Sequence, residues 1–307
     1  MLWFFALIVL LQGEAPGNPD EARFVTEDIP RFWQAYDAVK AGAEAVPTFQ
    51  KLYLDTASPG LAAFIESRIQ AAEDLVAVLD RHPNYYAGIR ANTLKVKDLE
   101  PQIRGYFEKL KALYDDAVFP DVYFLVGRMN SGGTVAPAGL LIGTEVYGQD
   151  DQTPKHELGA WERAAFGRFE DLPYIVIHEL IHFQQAPFQI RNLLGASLHE
   201  GIADYLCEMV AGKQINGHLH AFGNVREQEL WQRFQADMPG QDASSWLYNG
   251  SNATDEWPAD LGYYMGFKIA EAYYGRAGDK RQAVKDILTL TDPEDFLEKS
   301  GYADKFK

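Results

Sequence analysis

The spacing of apolar residues divides the chain into a helical first part, a short stretch rich in strands and a helical remainder. Between residues 29 and 116, apolar positions recur three and four apart, most regularly over 61–79 and 99–113. This period predicts amphipathic helices that pack through one face. Residues 222–234 and 260–274, together with a short segment that opens at Pro293, continue the helical pattern toward the end.

After Pro120 the pattern changes to short apolar runs bounded by turn residues. Residues 121–127 and 139–146 predict two strands, with a turn at 130–133 between them. A small sheet is therefore expected before the next helix. The 139–146 segment is a candidate edge strand that could pair with an extended substrate backbone, and the alternative is an ordinary hairpin strand in the core.

One apolar run, residues 174–183, contains three ionisable residues in an H-E-x-x-H pattern: His178, Glu179 and His182. On a helix, residues four apart share a face, so both imidazoles can bind one Zn²⁺ while Glu179 reaches a water molecule on it. Three buried ionisable groups without partners would be costly, and a metal ion removes that cost. The alternative is a helix whose two histidines are merely hydrogen-bonded.

A catalytic zinc site takes three protein ligands and keeps a position for water, so a third donor is expected. Glu200 and Asp204 lie four apart on a second predicted helix, residues 196–211. We predict Glu200 as the third ligand and Asp204 as the acceptor of the outward N–H of a ligating histidine. His199 is the competing third ligand, although it points about 100° away around the helix.

Hydrolysis at such a metal site builds negative charge on the substrate oxygen, and a Tyr or His donor often stabilises it. Tyr263 and Tyr264 are the candidates for this catalytic role, with His218 and His220 as a second pair. Each of the four is alternatively a packing or surface residue.

The two predicted metal-binding helices, over residues 171–211, resemble those of the gluzincin zinc metallopeptidases, the thermolysin-like group with H-E-x-x-H followed by E-x-x-x-D. Residues 198–204 and 262–269 are also similar to bacterial domains described as predicted zinc-dependent proteases. The resemblance implies a zincin-like fold, with His178, His182 and Glu200 as zinc ligands, Glu179 as general base and Asp204 behind the ligands.

Composition limits the classes of partner. The net charge of −16, from 28 basic and 44 acidic residues, argues against nucleic acid and anionic membrane surfaces. The chain is long enough for a sizeable core. We expect a helical part over residues 20–116 and a catalytic region over 117–307, or a single continuous domain over 20–307.

The first eleven residues are apolar and too few to span a bilayer, so residues 1–19 are expected to be a signal peptide or N-terminal hydrophobic segment. Export to a bacterial periplasm or the exterior is predicted, with the cytoplasm as the alternative. No stable membrane span is expected beyond this segment. The only cysteine, Cys207, excludes an internal disulfide and is expected to be a buried structural thiol.

The sequence thus predicts a mostly helical α+β protein in which a small sheet precedes the metal-binding helix. The expected activity is that of a zinc metallopeptidase acting on a peptide or protein, in which Glu179 takes a proton from the metal-bound water. The alternatives are a non-catalytic zinc-containing binding or scaffold domain and a hydrolase of a non-peptide amide or ester. Zn²⁺ is the expected ion, although this ligand set also suits Fe²⁺, Mn²⁺ or Co²⁺.

Overall fold

A computed structural model describes residues 15–307. They form two compact units, one of residues 15–108 and Val118–Leu180, the other of Lys109–Ala117 and Ile181–Lys307. The apolar segment 1–11, on which the export prediction depends, lies outside the described residues. The predicted division at residue 116 stays a prediction.

The first unit contains short helices and all of the named strands. Its helices are α1 (Asp28–Lys40), α2 (Ala45–Phe49), α3 (Pro59–Phe64), α4 (Ala72–Arg81), α5 (Pro83–Thr93), most of α6 (Glu100–Leu113) and α7 (Ala160–Ala165). Prolines open α3 and α5. Ser58 accepts a hydrogen bond from the Leu61 amide, 3.1 Å, and Pro59 occupies the first turn of α3.

The second unit is helical throughout its named elements. Helix α8 (Leu172–Gln184) begins in the first unit and ends in the second. The helices that follow are α9 (Leu193–Ala211), α10 (Gly217–Gly223), α11 (Glu227–Asp237), α12 (Leu261–Arg276), α13 (Lys280–Leu288) and α14 (Pro293–Ser300). Asn192 caps the start of α9, and Gly212 in the left-handed conformation ends it.

The strands are β1 (Phe24–Val25), β2 (Val122–Leu125), β3 (Gly133–Ala136) and β4 (Gly139–Gly143), and they form one sheet in the order β1-β2-β4-β3. The first three of that order run parallel, and β3 is antiparallel to β4. Every residue of β2 and β4 is buried. Their unbroken apolar runs are typical of strands that are covered on both faces.

The prediction that residues 139–146 form an edge strand was wrong. β4 ends at Gly143 and lies inside the sheet, whereas β3 occupies the edge and includes Gly133, which was assigned to a turn. Pairing order depends on long-range contacts, so a continuous apolar run indicates burial without indicating which neighbours a strand has.

Gly139, at φ +138°, lies so close to the Asp121 carbonyl that a Cβ would be 2.1 Å from it.

Helices α9 and α12 approach each other closely through small residues. A Cβ on Gly201 would lie 2.2 Å from the Phe267 backbone nitrogen, and a Cβ on Gly266 would lie 1.8 Å from the Ser197 carbonyl oxygen. Only glycine at both positions permits this approach. The contact fixes the part of α9 that carries Glu200.

The structure confirms a mostly helical α+β protein with a small sheet ahead of α8. Cys207 is buried, as expected. Among residues 15–307, no helix has both the length and the apolar character that crossing a membrane requires.

Candidate metal centre

Three of the predicted ligands lie together. His178 and His182 are one turn apart on α8, Glu200 is on α9, and one ligand atom of each lies within 4.8 Å of the others. All three side chains are largely removed from solvent: His178 is 5% and Glu200 8% exposed, and the His182 side chain is 11% exposed. Two imidazoles and a carboxylate at this spacing form a donor set for a divalent cation.

Gln185 determines which nitrogen of His182 carries a proton. Its amide nitrogen donates to the His199 carbonyl oxygen at 2.8 Å, so its oxygen faces His182 Nδ1, also at 2.8 Å. Nδ1 therefore carries the hydrogen and donates it to Gln185. In the neutral ring the other nitrogen, Nε2, then has a lone pair, which is the state that a metal ligand requires; in the protonated ring it forms an ion pair with Glu200.

Glu200 meets this nitrogen directly. Its Oε2 lies 3.2 Å from His182 Nε2, while its Oε1 accepts a hydrogen bond from the Tyr248 hydroxyl. A proton on Nε2 or a cation between the two atoms would satisfy both groups, and His178, the third donor, lies within 4.8 Å of them. Two ligands bound tetrahedrally to Zn²⁺ at about 2.0–2.1 Å lie about 3.3 Å apart. The residues of the site therefore fit a divalent cation.

The surrounding charge also favours a cation. Asp260 lies near Glu200 and Asp204. Burial, together with the negative charge of these two carboxylates, raises the pKa of Asp260 to about 6. Hydrogen bonds from backbone amides partly oppose this shift. The pKa of Tyr263 is raised well above its usual range by burial, and the same carboxylates add to the shift. A positive ion would relieve this accumulation of negative charge.

Glu179, the predicted general base, is buried on α8 with 7% exposure. Its side chain lies against the start of β3, where a Cβ built on Gly133 would be 2.6 Å from Glu179 Cγ and Oε1. Glycine at position 133 thus leaves the room that the carboxylate occupies. That Glu179 reaches a metal-bound water stays a prediction.

Asp204 lies one turn beyond Glu200 on α9 and is buried, as predicted. Its Oδ2 accepts a hydrogen bond from the Asn216 side-chain amide at 2.7 Å. The outward nitrogen of His182 is hydrogen-bonded to Gln185, so Asp204 does not orient this histidine. That Asp204 orients His178 stays a prediction. His199 is outside the ligand cluster; its ring stacks on that of His182 with centroids 4.4 Å apart.

The two tyrosines predicted as charge-stabilising donors have different surroundings. Tyr264 is buried, and its hydroxyl donates to Asn224 at 3.2 Å. Tyr263 packs edge-on against Tyr248 with ring centroids 6.5 Å apart, and the Glu200 charge raises its pKa. His220 packs against the rings of Tyr264 and Phe267.

The sequence interpretation missed two side chains that contact the ligands, Gln185 and Tyr248. Gln185 follows His182 by three residues, a spacing that places two side chains on one face of a helix or its last turn, so a signal for it was present. Tyr248 is in a loop far from α9 along the chain, and no local pattern distinguishes it from other tyrosines.

A family model for gliding motility protein GldB matches residues 19–304. The chain belongs to the GldB family. No curated protein and no solved structure matches it.

Membership of the GldB family corrects the resemblance to gluzincins and to predicted zinc-dependent proteases. The assignment as a metallopeptidase, with its peptide substrate, was wrong. It depended on residues 171–211, whereas the GldB match spans nearly the whole chain. Two short motifs constrain the donors that surround a metal ion, and similar donors serve unrelated functions.

The GldB family is one of lipoproteins, which are exported and associated with membranes. The predicted export agrees with that family at this level. The prediction of a periplasmic or extracellular location is more specific than the family assignment.

Proposed function

We propose that this chain is a non-catalytic, metal-containing binding domain of the gliding motility apparatus, located on the periplasmic or outer side of the cell envelope. The role in gliding is taken from the GldB family, whose model matches residues 19–304. The observation that carries the metal is the convergence of two imidazoles and a carboxylate, whose ligand atoms lie within 4.8 Å of one another, with Glu200 Oε2 3.2 Å from His182 Nε2. Zn²⁺ is the proposed ion, held by His178, His182 and Glu200.

A metal ion in this position would join helices α8 and α9 and neutralise the Glu200 carboxylate. Its proposed contribution is stability, since an ion that binds only the folded chain stabilises it according to its concentration relative to Kd. At a thousandfold excess over Kd this amounts to about 4 kcal/mol. The expectation that the chain is an enzyme stays a prediction, which the Glu179 variant described below tests.

Metal content and thermal unfolding test the proposed ion. Purified protein should contain about one zinc per chain by elemental analysis, and a strong chelator should lower its Tm, with recovery when Zn²⁺ is restored. Protein that takes up no Zn²⁺, Fe²⁺, Mn²⁺ or Co²⁺ and whose Tm ignores the chelator would rule out the metal site.

Gliding itself tests whether the site is catalytic. In a strain that glides only when this chain is supplied, Glu200→Ala should abolish gliding because the metal is lost. Glu179→Gln, which keeps the three ligands, should glide like the wild type and retain the metal. Loss of gliding in a folded, metal-loaded Glu179→Gln protein would overturn the non-catalytic assignment, and normal gliding of metal-free Glu200→Ala would separate the metal from the function.

A further inference from the structure

Tyr248 reaches the metal site from a loop with an unusual backbone. Both Tyr248, at φ +55°, and Asp260, at φ +64°, adopt the left-handed conformation, which residues other than glycine rarely take. The Tyr248 amide donates to Asp260 Oδ1 at 2.5 Å, and the Asp260 amide donates to Asn249 Oδ1 at 2.9 Å. Asp260 therefore holds Tyr248 across the loop, and Asn249 holds Asp260.

This backbone directs one end of Tyr248 inward. The residue as a whole is 55% exposed, yet its hydroxyl donates to Oε1 of the buried Glu200. A tyrosine that contributed only packing would bury its ring, whereas this residue is largely exposed and its hydroxyl contacts a buried carboxylate. Strained backbone conformations persist where the surrounding structure fixes them and are concentrated at functional sites.

We propose that Tyr248 is a positioning residue of the metal site and that Asp260 holds it there. Because the hydroxyl engages Oε1, Glu200 presents Oε2 alone toward His182 Nε2, and it binds the ion through one oxygen. Carboxylate ligands are generally fixed in this way by hydrogen bonds from residues behind them, and loss of such a partner typically weakens metal binding about 10–100-fold. This inference depends on the proposed ion at His178, His182 and Glu200.

The test compares the Zn²⁺ affinity of the full chain with that of four variants, measured by competition with a chromophoric chelator. Tyr248→Phe removes the hydroxyl and should weaken binding about 10–100-fold. Tyr273→Phe is the matched control. The Tyr273 hydroxyl also donates to a carboxylate, that of Asp286 at 2.9 Å, but this carboxylate is not a metal ligand. The affinity of this control should equal that of the wild type.

Asp260→Gly and Asp260→Asn separate the loop from the tyrosine. Glycine accepts the left-handed backbone but lacks the acceptor for the Tyr248 amide, so affinity should fall toward that of Tyr248→Phe. Asparagine tolerates the same backbone and keeps a side-chain oxygen, so it should retain most of the affinity.

The Co²⁺-substituted protein supplies a second measurement. Its visible absorption depends on the number and geometry of the ligands, and Tyr248→Phe should change the spectrum because Glu200 is then free to bind through both oxygens. A Tyr248→Phe protein with wild-type affinity and an unchanged Co²⁺ spectrum would overturn the positioning role. Wild-type protein that binds neither ion would instead refute the metal site itself, so the two failures are distinguishable.

Discussion

Two buried glutamates, one in each unit, illustrate what a carboxylate requires when it leaves water. Glu145 is completely buried beside the sheet, and its two oxygens accept hydrogen bonds from the backbone amides of Gly127, 2.7 Å, and Met129, 3.1 Å. Glu200 is almost as buried, yet one of its oxygens lies 3.2 Å from His182 Nε2, a side-chain nitrogen that can also bind a metal ion. The first carboxylate is held by backbone amides, and the second lies beside the ring nitrogens of two histidines.

This difference separates a structural carboxylate from a ligand more reliably than burial does. Burial raises the pKa of Glu145 to about 7 despite its amide donors, so this group can release its charge by taking a proton. The negative charge of Glu200 can instead be neutralised by a cation, which the two histidines would also bind. The geometry around each group therefore predicts how each responds to substitution.

The largest expected effect is on metal content. Glu200→Gln removes the charge and places a possible amide donor among the ligands, so zinc bound per chain should fall from about one to nearly zero. Glu145→Gln should retain the full amount, because Glu145 is not one of the three ligands and its oxygens bind backbone amides. Elemental analysis after dialysis measures both, and equal retention of zinc in the two variants would erase the distinction between the glutamates.

The next effect is the pH dependence that Glu145 imposes on stability. Its pKa is raised from 4.5 to about 7 in the folded chain, so the folded state binds more protons than the unfolded state between these values. Stability that is fully present below about pH 4.5 is then lost as pH rises through 7, by an amount on the order of 3 kcal/mol.

Urea unfolding of wild type and Glu145→Gln, both with chelator present, measures this loss. The difference in free energy of unfolding between the two should change in favour of the variant as pH rises from 4.5 to 8. Using the difference cancels the contributions of groups common to both, such as His218, His220 and Asp260. A pH-independent difference would mean that the amide donors keep Glu145 ionised throughout.

A third effect concerns the close packing that holds the Glu200 segment. Gly201→Ala places a Cβ 2.2 Å from the Phe267 nitrogen, so α9 and α12 must separate, at about 1–3 kcal/mol. Gly275→Ala, on the partner helix α12, is the control, since open space surrounds that position; it should be neutral or stabilising by about 0.5–1 kcal/mol. Chemical denaturation of the two variants measures the contrast, and equal stabilities would show that the helices tolerate separation.

The helical period and the two motifs predicted α8, α9 and the cluster of His178, His182 and Glu200 because these depend on spacing within a helix. The order of the strands could not be predicted in the same way, because it depends on pairing between separate segments: β4, and not β3, pairs with β2. Predicting that Tyr248 reaches the site would have required knowledge of its contact with Asp260. The function was misassigned because a ligand pattern specifies the metal's neighbours and not the use that the protein makes of them.

The smallest expected effect is that of the outer partner of His182. Gln185→Ala removes the acceptor of the Nδ1 hydrogen, so the imidazole is free to rotate and to change tautomer. Zinc affinity should fall about tenfold, which corresponds to about 1.4 kcal/mol. Gln214→Ala is the matched control, because its amide pairs at 3.3 Å with His220, which is not a ligand. Chelator competition resolves a tenfold change; equal affinities for these two variants would mean that packing against His199 alone orients His182.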